Sequence, residues 1–184
     1  DETVSITDTE SVAATSLSTV GNATTGTVTA SSVATITGTA TEVIAAYAAI
    51  DDGLGDEAIT ISGNTTTVTQ ANSLNALTSG TVTATIVSTS SIADMLDLNG
   101  SNAYSITIKA SDASATAANL NSLNGLTTVA VDATQVTSIT GTLSDLVTLY
   151  TAEGISNLGD ETVSITDTES VAATSLSTVG NATT

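Results

Sequence analysis

Short runs that alternate apolar and polar positions recur along the chain, near Val4, Val28, Ile59, Val82, Ile106, Val129 and Val163. They read TVSIT, GTVTA, AITIS, GTVTATIV, YSITIKA, VAVDA and TVSIT again. A period of two built from Val, Ile and Thr is what a half-buried strand requires. Most runs are followed by residues with helical spacing. Val43, Tyr47 and Ile50 share one helix face, as do Leu143, Leu146 and Tyr150. VTQANSLNAL, IADMLDL, ATAANLNSL and VAATSLSTV predict shorter helices. Val33–Thr39 and Val136–Thr142 are additional strand candidates.

This pattern is itself repeated. Residues 1–25 recur without a change as residues 160–184, an offset of 159 residues. Identity over that length points to a tandem array within a longer protein. On this reading residues 1–25 belong to one period and residues 26–184 form a complete one. Six strand-plus-helix coils fill the period, grouped as double coils near 17–73, 74–119 and 120–175. Leu17, Leu74, Leu120 and Leu176 mark equivalent points. The expected fold is a β-rich α/β solenoid of stacked coils, each a short parallel strand plus a short helix. One such coil cannot bury its apolar face alone, whereas a neighbour stacked upon it covers that face and pairs the strand edges. At about 4.8 Å per strand, six coils span roughly 29 Å. The chain has no Pro, so every amide past the N-terminus remains able to join such a ladder.

Charge and composition narrow the function. Nineteen acidic residues face a single base, Lys109, for a net charge of −18. Such a surface repels phosphate backbones and anionic lipid, so nucleic-acid binding is not expected; no run of about 18 apolar residues occurs, so membrane insertion is not expected either. There is no Cys, His, Phe or Trp, and only three Tyr. The lack of His, Cys and Arg removes thiol, triad, zinc and arginine-clamp chemistry, and argues against an enzyme. A thin core of small aliphatics with an acidic, Thr-rich exterior suits a secreted or cell-surface protein in saline surroundings.

The acids divide into two groups. Thr39 with Glu42, Thr142 with Asp145 and Ser91 with Asp94 have the spacing of capping boxes, which makes them helix starts. Asp51, Asp52, Asp56 and Glu57, and Glu153, Asp160 and Glu161, cluster instead in glycine-rich connections. Two readings compete for them. Dense oxygen donors can hold Ca²⁺, which takes six to eight oxygens; but neither cluster has an EF-hand or calcium β-roll pattern, and a solvated turn shaped by Gly53, Gly55 and Gly159 is the favoured reading. Ca²⁺ is the only cofactor the sequence suggests. The runs Thr27-Val-Thr29, Thr35-Ile-Thr37 and Thr81-Val-Thr83-Ala-Thr85 admit an ice-binding solenoid, although irregular coil lengths oppose a flat threonine array.

One long block occurs twice: V-x-x-I-T-G-T, an acid three residues on, Tyr five further, then L-G-D-E-x-[VI]-[ST]-I, at Val33–Ile61 and Val136–Ile165. With L-N-x-L at Leu74–Leu77 and Leu120–Leu123, it resembles Thr/Ala-rich tandem repeats of very large bacterial surface or secreted proteins, especially cyanobacterial ones. The resemblance spans essentially the whole chain, implies a structural, adhesive or matrix role, and carries no catalytic residues. The expected function is a segment of an extracellular filament or surface fibre that self-associates through its coil ends. The rival is the spacer of a giant adhesin.

Overall fold

A computed structural model describes residues 2–183, with parallel strands and short helices alternating along the chain. Two compact units form, Asp1–Val87 with Asn102–Tyr104, and Ser88–Ser101 with Ser105–Thr184.

The first unit contains β1 (Val4–Ser5), β2 (Ser11–Ala13), α1 (Ala14–Gly21), β3 (Val28–Thr29), β4 (Thr35–Gly38), α2 (Ala40–Ala49), β5 (Ala58–Ile61), α3 (Val68–Asn75) and β6 (Val82–Thr85). A five-stranded sheet runs in the order β2-β4-β5-β6 and ends on β7 (Ala103–Ser105). The register is parallel and regular: Val12 lies opposite Ile36, Ile36 opposite Ile59, and Ile59 opposite Val82. Ile36, Ile59 and Val82 are fully buried, so one aliphatic position per strand builds a continuous core row. Thr37, Thr60 and Thr83 form the neighbouring row, where cross-strand threonines support pairing. A second pair, β1 with β3, sets Val4 opposite Val28. α1 packs on α2, and α2 on α3.

In the second unit come α4 (Ile92–Met95), β8 (Ser114–Thr116), α5 (Ala117–Gly125), β9 (Val131–Asp132), β10 (Ser138–Gly141), α6 (Leu143–Thr151), β11 (Ile155–Ser156), β12 (Thr162–Ile165) and α7 (Ala173–Ala182). Its sheets run β12-β10-β8 and β11-β9, all parallel. Leu120, Leu123, Leu143, Leu146 and Leu149 fill the helix side of its core.

The expected helix starts are present. Thr39 and Glu42, and Ser91 and Asp94, form complete capping boxes, and Thr142 accepts from the Asp145 amide. The Thr39 amide and then its hydroxyl hold the Glu42 carboxyl below its usual range. The Ser91 hydroxyl and then its amide lower the Asp94 carboxyl likewise. Thr67 with Gln70 adds a box that the reading of acids passed over.

Three strand positions differ. The run around Val129 does not pair; Val129 is exposed, and the strand forms two residues later at Val131–Asp132, where Val131 is buried. In the YSITI run the strand covers Ala103–Ser105, while Thr107 makes only a bridge to Asp132. Beyond the expected additional strands, present as β4 and β10, there are three further short ones, β2, β8 and β11. Each has at most three residues, too short for alternation to register.

Candidate functional site

The seven acids of the glycine-rich turns serve separate ends. The Val28 amide donates to Asp51 Oδ2 at 2.8 Å, and the Gly53 amide to Asp52 Oδ1 at 2.9 Å. Asp56, Glu153 and Asp160 are exposed. Glu57 and Glu161 turn inward instead, at 2% and 5% exposure. Glu57 Oε2 accepts from the Gly55 amide at 2.8 Å, and Glu161 Oε2 from Gly159 at 2.8 Å. Those amides point inward because Gly55 and Gly159 hold φ of +139° and +136°, which a side chain would disfavour. Among the described residues no group of three acids converges where it could hold a metal ion. One oxygen of each inward carboxylate, Oε2 of Glu57 and of Glu161, is engaged by a backbone amide.

A buried contact joins one turn to the preceding helix. The Tyr150 hydroxyl donates to Glu161 Oε1. Burial first, and then the bond to Glu161 and its charge, push the Tyr150 hydroxyl far above the usual tyrosine range. In the equivalent turn the Tyr47 hydroxyl and Glu57 Oε1 are buried without a partner. Tyr150 titrates near pH 10 when unfolded and higher when folded, so its contribution is complete below about pH 10 and falls as pH rises beyond it. Urea midpoints measured from pH 8 to 11 are expected to drop at the alkaline end, and Tyr150→Phe should flatten that drop. An unchanged alkaline slope in the variant would remove Tyr150 as its source.

Polar side chains also reach back to residues 20–24 positions earlier, a link that local sequence does not reveal. Asp112 Oδ2 accepts from the Ile92 amide and Asp167 Oδ2 from the Leu143 amide, both at 2.7 Å. These cap the first turns of α4 and α6. Buried Asn102 accepts from the Val82 amide at 2.9 Å and donates to Asn75 and Tyr104. The common signal is an Asp or Asn 20 or 24 residues downstream of the amide it accepts from, which becomes visible once the register is known.

The most informative surface is the twice-occurring segment, because identical residues lie in different surroundings. In residues 2–24, Ala14 and Leu17 are covered at 0% and 1% exposure as α1 packs on α2. A Cβ on Gly21 would stand 2.2 Å from the Ala49 carbonyl oxygen. The opposite side is open, a groove of about 260 Å³ lined by Val4, Ile6, Asp8, Val12 and Val20 among others. In residues 160–183 the coverage reverses. Val179, the counterpart of Val20, is buried at 4%, and Asp167, the counterpart of Asp8, holds the Leu143 amide. Leu176 and Ile165 stand exposed at 40% and 36%, and a Cβ on Gly180 would meet nothing within 4 Å. The same polypeptide layer thus shows one face covered in its first occurrence and the other face covered in its second.

No helix among the described residues is long and apolar enough to cross a membrane. No protein-family model matches this chain, and neither a curated protein nor a solved structure matches it.

Proposed function

We propose that the chain is a structural repeat segment of a long extracellular filament or cell-surface fibre, built as a β-rich α/β solenoid with six coils to each 159-residue period. Its work is mechanical: each coil buries its apolar face on the next, and strand pairing runs along the axis. The observation that carries this reading is the recurrent parallel register. Val4 lies opposite Val28, Thr35 opposite Ala58, Ile59 opposite Val82, Ser114 opposite Ser138 and Ser138 opposite Thr162. Successive partners are 23 or 24 residues apart, one coil each time. The acidic, nearly base-free surface opposes lateral association of such rods and suits a secreted location. Self-association through coil ends is the proposed interaction, with no catalytic role.

Electron microscopy of a tandem array of several periods tests the reading. Uniform rods with an axial repeat near 29 Å are expected, from six coils at about 4.8 Å. Isolated globular particles would overturn it.

A further inference from the structure

Two asparagines in the chain precede glycine: Asn99 before Gly100, and Asn124 before Gly125. In such a pair the glycine nitrogen, unshielded by any Cβ, can close a succinimide ring on the asparagine side chain. Closure needs a free amide and a carboxamide able to swing onto it. The two pairs share a dipeptide and differ in surroundings. Asn99 and Gly100 are both exposed and lie outside every helix and strand. They follow buried Leu98, and Gly100 turns the chain at φ +72°. The Gly100 amide donates to no backbone carbonyl among the described residues. Asn124 and Gly125 instead close the last turn of α5, where a helical amide donates to the carbonyl four residues back. The Asn124 carboxamide is packed against Gly154, so closely that a Cβ there would stand 1.7 Å from Oδ1 and 2.6 Å from Cγ. Because α5 packs on α6, freeing this pair requires local unfolding.

We propose that Asn99 is a site of spontaneous covalent self-modification, converted through a succinimide to isoaspartate and aspartate, while the fold keeps Asn124 intact. The Gly100 nitrogen attacks Asn99 Cγ and forms the N–Cγ bond. The Cγ–Nδ2 bond breaks, and Nδ2 leaves as ammonia, carrying the proton that the Gly100 nitrogen gives up. Water then opens the ring. Addition at Cγ breaks the new bond and leaves aspartate. Addition at the Asn99 main-chain carbonyl carbon breaks the original peptide bond and leaves isoaspartate, with the chain now running through Cγ. Nothing is oxidised or reduced, and water is the only co-reactant. Each event replaces a neutral carboxamide with a carboxylate, adding one negative charge to the −18 of the chain. The conversion needs no neighbouring molecule and holds independently of the fibre reading.

Incubation of the full chain at neutral pH, followed by peptide mapping with fragmentation that separates isoaspartate from aspartate, tests it. In the folded chain Asn99 should convert at least about ten-fold faster than Asn124, since Asn124 reacts only during local opening. In chain unfolded by urea the two rates should converge to within about two-fold, because the dipeptides are the same and the packing is gone. The comparison is internal to one unaltered chain, so no variant has to fold. Isoaspartate at position 99 is required, because direct hydrolysis of the side chain yields aspartate alone; aspartate alone there overturns the ring route. Equal rates at the two sites in the folded chain overturn the proposal. So does an Asn99 that stays intact in the folded chain while the unfolded chain converts it.

Discussion

Leu17→Ala is expected to destabilise the first unit by about 3 kcal/mol, within the range for emptying a buried leucine site. The same change at Leu176 should cost less than about 1 kcal/mol, as exposed positions do. The two leucines sit in identical 25-residue surroundings by sequence, so helix propensity, capping and unfolded-state terms largely cancel in the comparison. What remains is packing. Leu17 is 1% exposed beneath α2, and Leu176 is 40% exposed on α7, which packs on α6. Urea midpoints at constant slope measure the difference. Hydrogen exchange across Ala14–Gly21 locates it: those amides should lose protection in L17A, while those of Ala173–Ala182 change little in L176A. Equal losses at both sites would contradict the asymmetric coverage.

That contrast marks the boundary of what the amino-acid pattern reveals. Helices were legible because their information is local. Thr39, Ser91 and Thr142 announce their first turns, and Leu120 with Leu123, and Leu143 with Leu146, repeat at helical spacing. Strand existence was legible in runs such as AITI, where one inward Ile59 alternates with Thr60. Exact strand position was not. The valines at 129 and 131 have the same parity, and only pairing with Ile155–Ser156 selects Val131 for burial. Long-range roles were less visible still. Glu57 and Glu161 resemble the solvated acids beside them until the turn glycines direct amides inward and Tyr150 arrives from the preceding helix. Asp112 and Asp167 are unremarkable in sequence, since the amides they cap lie 20 and 24 residues upstream.

The second large effect changes sign between the two copies. Glycine costs an exposed helix roughly 1 kcal/mol relative to alanine, so Gly180→Ala, with nothing near its Cβ, should raise stability by up to about that amount. Gly21→Ala receives the same helical benefit but drives its Cβ to 2.2 Å from the Ala49 carbonyl oxygen, and to 2.8 Å from that residue's carbonyl carbon and Cβ. Backbone atoms cannot rotate away as a flexible side chain would, so α1 must separate from α2. Overpacking of this kind typically costs about 1–3 kcal/mol, which outweighs the propensity gain and leaves G21A destabilised. Urea titration of both variants beside the parent gives the comparison directly: a higher midpoint for G180A and a lower one for G21A. If both rise, helix propensity dominates and the close approach of α1 to α2 does not exist in solution. If G180A falls, its face is already covered in the isolated chain. The opposed signs therefore test more than two glycines, since they require that residues 1–25 and 160–184, alike in every side chain, be distinguished only by which neighbour is present.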